Sequence, residues 1–195
     1  MTRLVLVRHA QSAPAAHLAE AAFPLSEKGR QQALDLAPVL AELGVDALAS
    51  SPYQRAVDTL QPYADRAGLS IAIDHDLRER SLGAWLESPE AVNETMRRMH
   101  ADPDFAPAGG ETSRAVVARF EAALRRVIAA APGRTIAVGS HGGIISHFLA
   151  PRGEGLASEF WRGIRNPHLF IFDASWRWLG ERTLAGEPLL SPTGG

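Results

Sequence analysis

Short apolar runs alternate along this chain with longer segments in which apolar residues recur at helical spacing. This alternation is typical of a mostly parallel sheet covered by helices on both faces, because parallel neighbours need a crossover between them. We therefore predict a three-layer α/β/α sandwich whose last strands, between Leu169 and Leu179, are free to run antiparallel. The other apolar runs occupy residues 4–7, 45–49, 69–73 and 135–138.

The intervening segments have recognisable helix signals. Ser26 opens a helix that ends at Gly44 and carries Pro38, where we expect a kink. The pair Ser51-Pro52 predicts the N-cap and first turn of a second helix. That second helix is expected to reach about Gly68, and later helices are expected over Pro89 to His100, over Thr112 to Ala131 and from the glycine-rich turn 139–143 to Leu149.

Composition excludes several classes of protein. The chain has 195 residues, 46% of them hydrophobic, which favours a single globular domain over residues 1–195. A formal net charge of -2 provides no general field for nucleic acid or an anionic membrane. The absence of cysteine excludes disulfides, thiolate metal ligands and cysteine nucleophiles. The first apolar run is too short for a signal peptide, so we expect a soluble, cytoplasmic protein without nucleic acid or membrane partners.

Residues suited to phosphate chemistry follow several of the predicted strands. Arg8 and His9 follow the first strand, Arg55 lies just beyond the second, Glu79 comes after the third, and His141 follows a later one. Ligands of an open α/β sheet bind beyond the carboxyl ends of its strands. The sequence therefore predicts a phosphoryl-transfer site at this edge of the sheet.

Each of these residues also has a simpler interpretation. An Arg-His pair at a strand end is often a solvated loop, and Glu79 between two arginines is typical of a surface ion-pair cluster. Gly142 and Gly143 would suit a tight turn as well as a backbone approach to an anion. Arg55 is different, because a cation in the first turn of a helix opposes the helix dipole and requires a compensating anion.

Six motifs, in their order and spacing, resemble those of the histidine phosphatase superfamily, in its phosphoglycerate mutase-like branch. They are LVLVRHAQS at 4–12, PLSEKGRQQA at 24–33, SSPYQRAVDT at 50–59, LRERSLGAW at 77–85, GGET at 109–112 and VGSHGGII at 138–145. The resemblance implies the phosphoglycerate mutase-like fold and hydrolysis of a small phosphorylated metabolite without metal or other cofactor.

The resemblance also implies roles for individual residues. His9 matches the histidine that becomes phosphorylated, and Glu79 matches the carboxylate that acts as acid and base. Arg8, Arg55 and His141 match the rest of the phosphate pocket. An imidazole must be neutral to attack phosphorus, and cationic side chains stabilise the charge on the transferred group.

Further positions are expected at the edge of this pocket. Gln11 and Ser12 occupy positions where the family often has Glu-Thr or Glu-Ser, and Gly142 supplies backbone beside His141. The chain departs from the family pattern at Ala10, which replaces a glycine, and at Leu86-Glu87, which replace Glu-Gly. Residues 81–108 are expected to form a lid or specificity insertion.

Other functions remain open from the sequence alone. A phosphoglycerate mutase and a non-catalytic phosphate-binding module would use the same residues, a serine hydrolase would use Ser140, and a zinc site would need His141 and His147. Hydrolysis is favoured over mutase activity because the loop 13–23 contains no Lys or Arg. A mutase must hold a second anionic group of its substrate while it excludes water.

Aromatic residues are concentrated near the end of the chain. Packing between the last helix and the sheet explains this clustering, and a homodimer contact is the alternative. The residues concerned are Phe148, Phe160, Trp161, Phe170, Phe172, Trp176 and Trp178, seven of the thirteen aromatic residues.

Overall fold

The computed structural model describes residues 1–83, 88–150 and 163–184, which contain one six-stranded sheet flanked by helices. The strands are β1 (Arg3–Arg8), β2 (Ala47–Ser50), β3 (Ile71–Ile73), β4 (Thr135–Ser140), β5 (His168–Asp173) and β6 (Trp178–Thr183). The helices are α1 (Glu27–Glu42), α2 (Gln54–Ala67), α3 (Pro89–Ala101), α4 (Ser113–Ala130) and α5 (Gly142–Leu149).

The strand order β3-β2-β4-β1-β5-β6 brings the ends of three parallel strands together. Arg8 at the end of β1 pairs with Ser140 of β4, and Ser50 of β2 pairs with Gly139 of β4. The last two strands are antiparallel, β5 to β1 and β6 to β5. The predicted mostly parallel α/β sheet is confirmed.

Helices cover both faces of the sheet, as predicted. Successive residues of β1 point to opposite faces: Leu4 and Leu6 belong to the core under α4 and α5, whereas Val5 and Val7 belong to the core under α1 and α2. All four side chains are buried. A strand covered on both faces needs apolar residues at every position, which explains the continuous run in the sequence.

Terminal aromatic residues fill the core between α5 and the last strands. The ring of Phe148 meets Phe120, Phe172 and Trp176 edge to face, with centroids 5.4, 6.1 and 5.5 Å apart. Phe170 is buried and Trp178 packs against the same core. The packing interpretation holds for these residues, while Phe160 and Trp161 lie outside the described residues.

The starts of α2 and β3 differ from the sequence prediction, in addition to shifts of one or two residues at other strand ends. Helix α2 begins at Gln54 with Tyr53 as its N-cap residue, so the expected N-cap at Ser51 is wrong. The Ser51 hydroxyl instead forms a 2.8 Å hydrogen bond with His141, and tertiary contact therefore overrides the local capping preference. Strand β3 contains only residues 71–73, because pairing with β2 is limited to that stretch.

The two ends of the segment 81–108 lie close together. Gly83 has φ +78°, and a side chain there would collide with the Ala108 carbonyl oxygen, 1.9 Å from the Cβ position. The amide of Glu111 donates to the Ser81 carbonyl over 3.0 Å. Helix α3 confirms the predicted helix in this segment, whereas Leu86-Glu87 fall outside the described residues. No helix within the described residues is long and apolar enough to cross a membrane.

Candidate active site

His9 lies directly after β1 with its ring held in one tautomer. Its Nδ1 lies 2.7 Å from the Ala10 carbonyl oxygen, and its Nε2 lies 3.2 Å from Nε of Arg55. A carbonyl oxygen only accepts, so Nδ1 carries the proton and Nε2 presents its lone pair. This is the state that an imidazole nucleophile requires.

The surroundings of His9 keep it uncharged. The residue is 8% exposed. Burial, followed by the positive charge of Arg55, lowers the pKa of His9 to about 3. The His9 imidazole is therefore neutral at neutral and mildly acidic pH.

His141 lies beside His9, as the sequence predicted. It is fully buried, its ring stands edge to face with that of His9 at 5.2 Å, and its Nε2 bonds Ser51. Its Nδ1 is also buried and has no hydrogen-bond partner among the described residues. Burial and the neighbouring His9 lower the pKa of His141 well below its usual value. A buried ring nitrogen without a hydrogen bond lowers the stability of the protein unless a ligand supplies the missing partner.

Arg8 is the last residue of β1 and lies beside Ser140, the last residue of β4. Its Nη1 donates to the Ile164 carbonyl, whereas its Nε is buried without a partner. Nε passes 2.8 Å from where a Cβ at position 142 would lie, so Gly142 is required by this close approach. The predicted role of Gly142 as backbone beside the pocket fits this geometry.

The anion that Arg55 requires is Glu20, a residue the sequence analysis did not single out. Nη2 of Arg55 lies 2.8 Å from the Glu20 carboxylate, and Nη1 donates to the Glu20 carbonyl at the same distance. Glu20 belongs to a single 3₁₀ turn, Glu20–Ala22, and its side chain is 49% exposed, whereas Arg55 is buried. The sequence indicated that Arg55 needs an anionic partner, because it is a cation at the start of a helix, but it did not identify Glu20 as that partner.

Glu79 is not part of a surface ion-pair cluster. Its carboxylate accepts hydrogen bonds from the amides of Gly143 (2.9 Å), Ile144 (2.8 Å) and Arg80 (2.9 Å). It thereby satisfies the free amides at the start of α5, whose N-cap residue His141 provides no side-chain bond. Burial favours the neutral acid, but the Arg80 charge and these amides outweigh it and lower the pKa of Glu79. Glu79 is therefore ionised in the unliganded protein.

Gln11 and Ser12 lie at the rim. Gln11 is exposed and its amide oxygen accepts from the Ser26 hydroxyl over 2.9 Å, while Ser12 bridges to Leu25. Sequence reasoning missed Asn166, whose side-chain amide donates to the His9 carbonyl over 2.7 Å. Nothing in the local sequence connects residues so far apart.

Two of the alternative chemistries lose their support. The Ser140 hydroxyl is fully buried and donates to the Leu77 carbonyl over 2.8 Å, so it is not placed as a nucleophile. His141 faces His9, whereas His147 stacks on His100 at 4.2 Å. In the part of the chain that the structure describes, no three His, Asp or Glu residues are grouped to hold a metal ion.

Comparison with known proteins places this chain in a family. The sequence profile of the histidine phosphatase superfamily (branch 1) matches residues 4–174. The chain belongs to this superfamily. This histidine phosphatase is 32% identical over 202 residues to the glucosyl-3-phosphoglycerate phosphatase of Mycolicibacterium vanbaalenii, covering 95% of this chain and 88% of the relative. It is 31% identical over 164 residues to the Mycobacterium tuberculosis enzyme of the same name, covering 76% and 74% respectively.

The structural comparison agrees with the sequence comparison. A structure of mycobacterial glucosyl-3-phosphoglycerate phosphatase with VO3 superposes on this histidine phosphatase with a TM-score of 0.73 at 28% identity, covering 90% of this chain and 95% of the other. The predicted phosphoglycerate mutase-like fold is confirmed. The predicted class of enzyme, a phosphomonoester hydrolase, is confirmed as well.

Proposed function

We propose that this histidine phosphatase works through a phosphohistidine formed on Nε2 of His9. Nε2 attacks the phosphorus, the bond from phosphorus to the ester oxygen breaks, and water then cleaves the P–N bond to release inorganic phosphate and free imidazole. The single observation that carries this proposal is the His9 tautomer, with Nδ1 held by Ala10 and Nε2 turned towards Arg55.

Charge on the transferred phosphoryl group would be stabilised by Arg8, Arg55 and His141. Nε of Arg8 and Nδ1 of His141 are buried without a hydrogen-bond partner among the described residues, and each has capacity for an oxygen of the phosphate. Preorganised donors of this kind act on the charge that spreads over the equatorial oxygens. These donors leave no step that depends on a metal ion.

Glu79 is assigned the proton transfers. Because it is ionised before substrate binds, the proton for the leaving oxygen enters with the monoanion of the phosphomonoester. A bound phosphate next to the carboxylate raises its affinity for that proton. Glu79 then protonates the leaving group and, as a carboxylate again, takes a proton from the attacking water.

The physiological substrate is proposed to belong to the class of small phosphorylated metabolites. The mycobacterial relatives make glucosyl-3-phosphoglycerate the first compound to test on this chain. Gln11 and Ser12 at the rim, together with the insertion 81–108, are proposed to select among substrates. Phosphate release from a panel of phosphorylated sugars and phosphorylated acids, compared by kcat/KM, identifies the preferred class.

Phosphate release is expected to exceed isomer exchange when the purified protein receives 3-phosphoglycerate with a 2,3-bisphosphoglycerate primer. The reason is the composition of the rim, since residues 13–23 contribute no Lys or Arg and place the Glu20 carboxylate on Arg55. A second anionic group of the substrate would meet that negative charge. Both products are followed in the same reaction, and faster isomerisation than phosphate release would exclude the hydrolase assignment.

Glu20→Gln is expected to strengthen inhibition by inorganic phosphate and by vanadate. In the unliganded protein the Glu20 carboxylate occupies an Arg55 nitrogen that an incoming anion would use, so removing its charge removes a competitor. An ion pair with one exposed partner is weak, which limits the expected gain to about two- to fivefold in Ki.

The control for this experiment is Glu27→Gln, which removes an exposed carboxylate from the first turn of α1. Ki should not change in that variant. An unchanged or higher Ki in Glu20→Gln would show that Glu20 does not compete with the bound anion.

A further inference from the structure

Arg119 of α4 makes every hydrogen bond that a guanidinium group can donate. Its Nε and Nη2 bind the two oxygens of Glu111 over 2.7 and 2.8 Å. The remaining N–H groups donate to backbone carbonyls, those of Asp76 (2.7 Å), Arg78 (3.0 Å) and Glu79 (3.2 Å). Only an arginine has five donors in a planar fork, so no other side chain reproduces this set.

The bonds of Arg119 and Glu111 lie on both sides of Glu79 in the chain. Arg119 holds the carbonyls that lead up to and include Glu79, while a Glu111 oxygen accepts the amide of Ser81 over 2.8 Å. The Glu111 amide also donates to the Ser81 carbonyl. One ion pair therefore fixes the backbone before and after the residue that we assign to proton transfer.

The support for this ion pair is rigid. Val116, Phe120 and Leu124 of α4 are fully buried in the core, and the Arg119 side chain is only 12% exposed. A guanidinium held by buried neighbours and five hydrogen bonds loses little further freedom when substrate binds. Between residues 74 and 81, by contrast, the only regular structure is one 3₁₀ turn, His75–Leu77, which ends before Glu79.

We propose that Arg119, together with Glu111, is a positioning residue that sets the Glu79 carboxylate relative to Nε2 of His9. This inference rests on the proposed function, because it requires Glu79 to transfer the proton. Neither Arg119 nor Glu111 needs to touch the substrate. Misplacement of a catalytic group by about 1 Å is enough to lower a rate on the order of 10²-fold.

The experiment uses Arg119→Lys and two substrates, an alkyl phosphate with a poor leaving group and an activated aryl phosphate. Lysine keeps the positive charge but has three donors and no planar fork. We expect kcat/KM for the alkyl phosphate to fall on the order of 10²-fold, with little change for the aryl phosphate, whose leaving group needs no proton. The comparison uses kcat/KM because this ratio reports phosphoryl transfer to His9, whereas the later attack of water is common to both substrates.

Arg126→Lys is the matched control. Arg126 lies on the same helix and binds the same segment through the carboxylates of Asp74 and Asp76, with no bond to the backbone around Glu79 in the described structure. Its side chain is 52% exposed. This variant should retain the leaving-group dependence of the unmodified enzyme, which separates positioning of Glu79 from general attachment of the segment to α4.

A second comparison places Arg119→Lys in a Glu79→Gln background. If Arg119 acts through Glu79, the added substitution should cause little further loss with the alkyl phosphate. The effects of two substitutions that act through the same catalytic group are not additive. Equal losses of kcat/KM for both substrates in Arg119→Lys, or no loss, would overturn the inference. If that variant does not fold, Glu111→Gln replaces it with the same expected selectivity, and a uniform loss there overturns the inference too.

Failure of the proposed function gives a different result. If the loss of kcat/KM caused by Glu79→Gln alone is the same for good and poor leaving groups, the assignment of proton transfer to Glu79 is wrong. The positioning role of Arg119 is then wrong as well. The phosphohistidine is judged separately, by covalent labelling of His9.

Discussion

His9→Ala is expected to abolish turnover, with kcat lowered about 10⁴-fold or more, and to abolish covalent labelling by substrate. The reason is that Nε2 of His9, 3.2 Å from Nε of Arg55, is the atom assigned to attack phosphorus, and alanine has no group that can replace it. The fold should survive, because the His9 side chain belongs to neither of the two large hydrophobic cores. Rapid-quench experiments with a radiolabelled phosphomonoester measure both the burst and the trapped phosphoenzyme.

His17→Ala provides the control for that measurement. His17 is an exposed histidine in the loop 13–23 and has no place in the proposed chemistry. The control should label normally and turn over normally. Covalent phosphate trapped on the His9→Ala protein would show that another residue is the nucleophile.

Glu79→Gln is expected to lower kcat/KM by about 10²- to 10⁴-fold for alkyl phosphates and much less for an activated aryl phosphate. The glutamine keeps one oxygen, which can still accept from the amides of Ile144 and Arg80, but its NH2 group cannot accept from Gly143 and the side chain cannot carry the proton. A leaving-group series, plotted as log(kcat/KM) against the pKa of the released alcohol, measures the difference in the step that forms the phosphohistidine. Parallel lines for the variant and the unmodified enzyme would mean that Glu79 serves only to satisfy the start of α5.

The pH profile provides a second test of the same assignment. The pKa of His9 is about 3, so the nucleophile stays neutral as the pH falls from neutral to mildly acidic values. The pKa of Glu79 is also lowered, so the required proton enters with the substrate monoanion. Phosphomonoesters lose that proton near pH 6, and kcat/KM should therefore decrease as the pH rises above about 6. Glu79→Gln should weaken this dependence for alkyl phosphates.

Thermal unfolding distinguishes the catalytic role of Glu79 from its structural one. Because the carboxylate accepts three amide hydrogen bonds at a helix start, Glu79→Gln should also lower stability, on the order of 1 kcal/mol. Loss of stability affects both substrates equally at temperatures where the variant is folded. The selective loss with poor leaving groups is then the part that belongs to proton transfer.

Local sequence determined the elements and most of the candidate site. The continuous apolar run of β1 requires burial on both faces, and Ser26 caps α1 because its hydroxyl accepts the amide of Gly29. Arg8, His9, Arg55 and His141 could be placed together because parallel strands end at one edge of a sheet. Periodicity and capping depend on residues a few positions apart, so a linear sequence contains them.

Only the tertiary structure decided which partners these residues acquire. Glu20 reaches Arg55 across 35 positions, Arg119 reaches the Glu79 carbonyl across 40, and Asn166 reaches the His9 carbonyl across 157. Such pairs depend on how loops and helices pack, and no spacing rule links them. The same holds for Glu79. Its neighbours in sequence, two arginines, suggested a surface ion pair, but in the structure its carboxylate accepts hydrogen bonds from the amides at the start of α5. The sequence by itself determined which chemical groups lie at the sheet edge. Packing decided the protonation and the orientation of these groups, because protonation and orientation depend on burial and on charges from distant parts of the chain.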